Sequence, residues 1–350
     1  MVNSLTIIYL FYMFIALYLL ILFTLTFIQN KKEMFAVPSL KKKPTISVLI
    51  PAYNEEETIE GTVESVLASD YKNIIEIIVI NDGSKDKTSE IVKELEKKYS
   101  KVKLLDKINS GKADSLNQGM KIAEGELMAV VDADSYPSEK AFSEMIGFFE
   151  DAKVSAVTTR ILVREPKTFI QKLQSVEYKV IAFSRKLLGF LDSIYVTPGP
   201  LAIYRKDVLI SLGGFDVKNM TEDIEITWRL AFNNYKIRMS FVSYVTSVSP
   251  DTFKKWFKQR LRWNIGGMQT IVKYKKYYLR KGMLGYFILP FFTISLLLGV
   301  IGLAIFIYRI SQRFIISYLS TIGSINSDVA VIALQDINLH PSILHFFGVV

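Results

Sequence analysis

No cysteine occurs in the 350 residues, which excludes a disulfide framework and every thiolate metal or nucleophile site. Histidine is nearly missing too. His340 and His345 both stand near the C-terminus, so acid–base chemistry elsewhere falls to carboxylates, lysines and tyrosines. Acidic residues are outnumbered, 34 against 43 basic ones, and the formal charge of +9 points to an anionic partner: a nucleic acid, a phosphate-bearing substrate or lipid headgroups. Charge is absent from two long stretches, Leu5 to Ile28 and Met283 to Ile307. Each exceeds the roughly 20 apolar residues that cross a bilayer, so both are expected to span a membrane. The first lacks the basic start, short apolar region and small-residue cleavage site of a signal peptide. Pro290 is expected to kink the second, which a membrane helix tolerates.

The basic residues are not spread evenly. Lys31, Lys32, Lys41, Lys42 and Lys43 follow the first stretch, and Lys273, Lys275, Lys276, Arg280 and Lys281 precede the second. Positive charge stays on the cytosolic side, which predicts a multi-pass protein of the cell membrane with residues 30–282 in the cytosol. The clusters would lie beside anionic headgroups, so membrane lipids are the expected partner and nucleic acid is not. The sequence after Arg313 is apolar but interrupted by Asn326, Asp328 and Asp336, and a third span and a surface-lying segment both remain open. The expected division is a membrane helix over 1–30, a cytosolic domain over 31–250, an interfacial helix region over 251–282, a second membrane helix over 283–309 and an apolar segment over 310–350.

Within the cytosolic part, TISVLI (45–50) and IIEIIVI (74–80) are short β-branched runs closed by turn formers, as buried strands are. Residues 55–69 and 86–99 read as helices between and after them. Strands alternating with helices predict an α/β domain with a mainly parallel sheet, whose ligands collect at the carboxyl ends of the strands. Those ends carry PAYNE (51–55), NDGS (81–84) and DAD (132–134). Taken singly, each is as well read as a turn or a helix cap. Together they suggest more, because Asp132 and Asp134 at alternate positions of an extended segment would turn their oxygens to one rim. That is the ligation Mg²⁺ or Mn²⁺ takes, usually shared with substrate phosphates.

The ordered set PAYNEE (51–56), NDGSKD (81–86), NSGKADSLNQG (109–119), DADS (132–135), TED (221–223) and QRLRW (259–263) resembles the membrane-integrated family 2 inverting glycosyltransferases. That group includes the hyaluronan, chitin, cellulose and poly-N-acetylglucosamine synthases. The resemblance covers roughly residues 44–265. It implies the GT-A fold, a nucleotide-sugar-binding α/β domain, and a nucleotide-diphosphate sugar as donor, here a UDP-sugar. By the same resemblance Ala52, Tyr53 and Glu55 line the base and ribose, Asp82 lies near the uracil, Lys112 approaches the diphosphate, Asp132 faces the donor, and Asp134 ligates the metal with Asp132 beside it. Many relatives have two acids where this chain has Asn81-Asp82.

Thr221-Glu222-Asp223 resembles the motif whose aspartate takes the proton of the acceptor hydroxyl, with Asp223 the expected base and Glu222 its neighbour. The same acids would suit the first turn of a helix. On a helix Gln259, Arg262 and Trp263 share one face, Arg262 to hold phosphate and Trp263 to offer a flat wall to a sugar ring; an interfacial helix with a snorkelling Arg and an anchoring Trp is the alternative. Leu173, Val176, Val180, Phe183, Leu187 and Phe190 form a stripe from Ile170 to Leu191 that suits an interfacial helix, with Lys172, Lys179, Arg185 and Lys186 on its remaining surface. The turn-rich Thr197 to Leu201 segment is a loop that in relatives lies near the acceptor. The expected function is transfer of a sugar to a growing polysaccharide. One transfer to a membrane lipid and a non-catalytic sugar-nucleotide-binding subunit are the alternatives, and a homo-oligomer would supply helices that two spans lack.

Overall fold

A computed structural model describes residues 4–39 and 41–327. In chain order the elements are α1 (Ser4–Asn30), β1 (Ile46–Ala52), α2 (Ile59–Leu67), β2 (Ile74–Asp82), α3 (Thr88–Lys98), β3 (Val102–Lys107), α4 (Lys112–Ile122), β4 (Leu127–Val130), β5 (Ser135–Pro137), α5 (Ser143–Ile146), β6 (Val154–Val163), α6 (Phe169–Phe190), β7 (Ala202–Arg205), α7 (Lys206–Ser211), α8 (Glu222–Phe232), β8 (Lys236–Ser247), α9 (Phe253–Tyr274) and α10 (Leu289–Ser327). They fall into two units, one of residues 1–24 with 291–350 and one of residues 25–290.

The larger unit is built on an eight-stranded sheet in the order β3-β2-β1-β4-β7-β6-β8-β5. The expected strands are β1 and β2, and their alternate residues explain why both faces are covered. Ile46, Val48 and Ile50 enter one apolar cluster with Ile77 and Val79, while Leu49 enters the other with Ile78 and Ile80. A strand buried on both sides must be apolar throughout, and β-branched residues fit its pleat. The sheet is mainly parallel, as expected, with antiparallel members among its strands; β6 and β8 also pair in parallel, over the longest register of the sheet. The pairings of β1 with β2, β1 with β4 and β2 with β3 are parallel, but β7 runs antiparallel to β4 and β6, and β5 runs antiparallel to β8. The reason lies in the connections: β7 returns after the long α6, a reversal that no local pattern announces.

Register lines up the polar strand ends. Ala52 stands opposite Asn81, and Leu49 opposite Val130, so PAYNE, NDGS and DAD open on one edge. The first two loops are stapled to each other: Asn54 Oδ1 accepts from the Lys85 amide (2.8 Å), and Thr88 Oγ1 accepts from the Glu55 amide (2.8 Å). Asn54 takes a positive φ of 56° for this, a conformation Asn tolerates better than most residues.

α6 contradicts half of its expected surface. Its stripe residues Leu173, Val176, Val180 and Phe183 are exposed, but so little of Arg185 and Lys186 is exposed that both count as interior. The C-terminal half of the helix packs on β6 and β8, where Lys186 donates to the Met239 carbonyl (3.0 Å) and lies over the rings of Phe148 and Phe190. Burial, with the Arg238 charge adding to it, lowers the Lys186 pKa to about 8.

Two helical stretches are long and apolar enough to cross a membrane, Thr6–Asn30 and Leu284–Leu319. In the second, the disturbance expected at Pro290 falls just before it. Leu284–Ile288 is a π-helical turn running into α10, since proline gives no amide to the preceding turn and its ring crowds the carbonyl there. α10 continues past residue 309 to Ser327. Residues 328–350, with both histidines and the rest of the expected C-terminal segment, lie outside the described residues.

Candidate active site

The centre of the site is an ammonium. Lys112 opens α4, directly after Gly111, whose φ of 94° suits glycine. Asp82 fixes this entry: its carboxylate accepts from the Ser110 and Gly111 amides (both 2.9 Å) and pairs with Lys107. From there the Lys112 ammonium reaches Asp132 Oδ1 at 2.6 Å and Glu222 Oε1 at 3.0 Å. Burial alone would lower the Lys112 pKa, but the charges of Asp132, Glu222 and Asp223 outweigh it and hold the group above the ordinary lysine value. One lysine thus joins the strand-end loop to the first turn of α8.

Asp132 and Asp134 come together by a turn, not by alternation along a strand. The Ser135 amide donates to the Asp132 carbonyl (3.0 Å), and the chain then enters the short β5. Asp134 is half-buried, accepts weakly from the hydroxyls of Ser135 (3.1 Å) and Ser247 (3.4 Å), and lies in the field of Asp132 and Glu55. Burial first, then those two charges, push its pKa up to about 7. Glu55 is raised as well, by burial and then by Asp132 and Asp86, against a hydrogen bond from Thr58. Asp132, Asp134, Glu222 and Asp223 therefore lie in the field of the Lys112 ammonium, with Glu55 joined to them beside Asp132 and Asp134.

That surplus of hard oxygen charge is the chemistry of a divalent cation site. Among the described residues no group of three or more potential ligands is close enough to hold a metal alone. The donor set fits Mg²⁺ or Mn²⁺ of the kind that keeps waters and takes the remaining oxygens from a diphosphate.

Asp223 is the second residue of α8 and is deeper than Asp134. Its carboxylate accepts from the Ile224 amide (2.9 Å), and its carbonyl accepts from the Thr227 hydroxyl (2.5 Å). Burial, reinforced by Glu222, pushes its pKa up to about 7 against the pull of Lys112 and the Ile224 amide. The position at a helix start favours a carboxylate; burial wins here. A buried carboxylate poised near neutrality is what a general base requires.

The loop from Thr197 to Leu201 closes over the ammonium. A side chain at Gly199 would place its Cβ 2.7 Å from both Asp132 oxygens and closer still to the Lys112 ammonium, so any larger residue there pushes those side-chain tips apart. Tyr53 is exposed at the same edge and Ala52 is buried beneath it. In QRLRW, Gln259 accepts from Gln174 Nε2 (3.1 Å), and Arg260 forks onto Glu177 (both 2.6 Å) while covering the Trp263 ring at 4.5 Å. Arg262, the expected phosphate ligand, is exposed. Arg260 and the inner face of α6 were not singled out from the sequence as site residues; the signal available was the spacing of Gln174, Tyr178 and Arg185 opposite the apolar stripe.

Residues 47–213 match the sequence profile of Glycosyl transferase family 2. The poly-beta-1,6-N-acetyl-D-glucosamine synthase of Staphylococcus aureus is 34% identical over 248 residues, which are 67% of this chain and 59% of that one. Residues 47–213 form a glycosyl transferase family 2 domain. The enzyme of the same name from Staphylococcus epidermidis is 34% identical over 231 residues, 65% of this chain and 56% of that one. The chain thus spans less than two thirds of the length of these synthases. In fold it is similar to the mannosyltransferase PcManGT from Pyrobaculum calidifontis, solved with GDP-Man and Mn²⁺, at a TM-score of 0.61 and 21% identity over 73% of this chain and 72% of that one. The family 2 domain accordingly has the GT-A fold expected from its motifs.

Proposed function

We propose that this family 2 transferase is a membrane-bound inverting enzyme that moves a sugar from a UDP-sugar to a growing polysaccharide. The observation that carries the reading is the Lys112 ammonium between Asp132 and Glu222, because it joins the donor side of the site to the residue before Asp223. Single-step inversion needs a base on the face opposite the leaving diphosphate and no covalent intermediate. Asp223 takes the proton from the attacking acceptor hydroxyl, whose oxygen forms the new bond to the anomeric carbon as the bond to the diphosphate breaks. Lys112 turns its charge to the diphosphate, and Ala52, Tyr53 and Glu55 hold the nucleoside at the edge of β1. Asp134, with Asp132, would hold Mg²⁺ or Mn²⁺, which when bound offsets the negative charge gathering on the leaving group.

The names of the similar synthases favour N-acetylglucosamine as the sugar. Two apolar helices, their basic flanks, and the exposed apolar residues Phe169, Leu173, Val176 and Val180 of α6 and Phe253, Phe257 and Leu261 of α9 support a domain lying on the cytosolic membrane face. The boundaries at 30, 250, 282 and 309 follow from that reading. A single transfer to a membrane lipid is the second reading, favoured by the presence of two candidate spans among the described residues where a polymer channel needs several. Full-length protein in detergent, given a panel of nucleotide sugars with Mn²⁺ or Mg²⁺, is expected to release UDP and build a ladder of products. One lipid-soluble product favours the second reading, and release from no donor contradicts both.

A further inference from the structure

α6 is inverted relative to a helix of a water-soluble fold. Its apolar residues Phe169, Leu173, Val176, Val180 and Phe183 face outward, Phe169 being 77% exposed, whereas Gln174 and Arg185 are 1% and 7% exposed. Gln174, Tyr178, Ala182 and Arg185 recur at steps of four, four and three, which is one helical stripe. The stripe is polar and turned inward. Its members serve both ends of the acid cluster: Tyr178 lies in the field of Asp134 and Arg260, and the ionisable groups acting on Arg185 are Tyr195, Asp223 and Tyr178.

Two polar groups on the stripe lack protein partners. Gln174 Nε2 donates to the Tyr178 hydroxyl (2.8 Å) and to Gln259 (3.1 Å), yet Gln174 Oε1 is buried and receives no hydrogen bond. The Arg185 guanidinium forms no ion pair among the described residues, and its nitrogens are not sealed from solvent although the residue is only 7% exposed. A guanidinium offers five donors that a ligand at its open side can use, and native interiors rarely leave an amide oxygen unpaired. A hydroxyl-rich ligand satisfies both at once, giving O–H groups to Gln174 and lone pairs to Arg185. A phosphate answers only the second need, and Lys112, paired with Asp132 and Glu222, already offers a cation to one.

We propose that the buried polar stripe of α6 is the acceptor wall of the site, on which Arg185 holds an oxygen of a neutral acceptor sugar beside Asp223. This rests on Asp223 being the base. Arg185 is a positioning residue that takes no proton; it sets the ring so that one hydroxyl faces the Asp223 carboxylate. Tyr178, tethered through Gln174 to Gln259 of the QRLRW helix, supplies a second contact.

The test uses full-length protein in detergent with UDP-N-acetylglucosamine, Mn²⁺ and short N-acetylglucosamine oligosaccharides. Arg185→Gln is expected to raise the acceptor KM about tenfold to a hundredfold, the effect of losing a charge-assisted hydrogen bond. Calorimetry is expected to find UDP affinity within about twofold of the parent, and Arg185→Lys to restore part of the acceptor KM. Should Arg185→Gln not fold, Tyr178→Phe, which removes only a hydroxyl, is expected to raise the acceptor KM severalfold by itself. An acceptor KM unchanged in the folded variants, or UDP affinity weakened in step with it, overturns the proposal. Saturation-transfer NMR on the oligosaccharide alone reads the wall without turnover. A parent protein that binds the oligosaccharide but turns over no donor would therefore contradict the proposed activity and leave this contact standing on its own signal, and loss of that signal in the parent would contradict the wall.

Discussion

The pH dependence of transfer follows from where Asp223 sits. Its ordinary pKa of 3.8 is raised to about 7 by burial and by Glu222, and a base works only when ionised. The sign is fixed: activity is lost as pH falls through about 7. With a pKa near 7, the carboxylate is roughly 3% ionised at pH 5.5, so kcat/KM there should be about thirtyfold below its plateau, falling about tenfold per pH unit. At the ordinary value the profile would be flat down to about pH 5. kcat/KM is the quantity to measure because it reports the free enzyme, whose groups are those described above. The same shift has a stability counterpart. The folded protein binds the Asp223 proton more tightly than the unfolded chain, so this group's contribution is fully present below about pH 4 and is lost by about pH 7. Asp223→Asn, neutral throughout, should therefore melt above the parent at pH 8, the difference shrinking as pH falls and closing only near about pH 4. Initial rates from pH 5 to 9 and paired melting curves provide both readings. A flat kcat/KM between pH 5 and 7 together with a pH-independent difference in Tm would refute the assignment of a buried, raised carboxylate.

Asp134→Ala is expected to abolish the Mn²⁺-dependent part of UDP binding, since it removes the carboxylate placed to ligate the metal beside Asp132; calorimetry with and without Mn²⁺ checks it. Gly199→Val should leave Tm within a few degrees, because it meets only the tips of the Lys112 and Asp132 side chains, yet lower kcat/KM by about tenfold to a hundredfold by displacing them. Gly266→Leu is different. Its Cβ would stand 2.7 Å from the Thr221 Cβ, where α9 crosses the start of α8, so overpacking should cost about 1–3 kcal/mol of stability, visible in urea unfolding, along with most activity.

The edge of the sheet that carries the site is legible because its signals are local. Apolar runs ended by PAYNE, NDGS and DAD mark strands whose loops must be polar, and TED before an amphipathic run marks a helix start. What decides the rest is long-range. The antiparallel return of β7, the turn that gathers Asp132 and Asp134, and the pairing of Arg260 with Glu177 across 83 residues depend on elements far apart in sequence. α6 misleads most. A stripe of Leu, Val and Phe ordinarily faces a core, and basic residues ordinarily face water, so Arg185 and Lys186 read as surface groups. In the fold Leu173, Val176, Val180 and Phe183 lie outside while Arg185 and Lys186 lie inside with Leu187, which follows only once the helix is laid against β6 and β8.

The central claim is that one acid, Asp223, readies the acceptor while a separate set of residues holds the donor. Asp223→Asn tests it most directly, with UDP affinity measured by calorimetry in Mn²⁺ and sugar transfer measured on the same sample. Unchanged UDP affinity with transfer lowered by about a hundredfold or more is the result expected for a lost general base. Transfer at the parent rate, or donor affinity lost along with transfer, would contradict it.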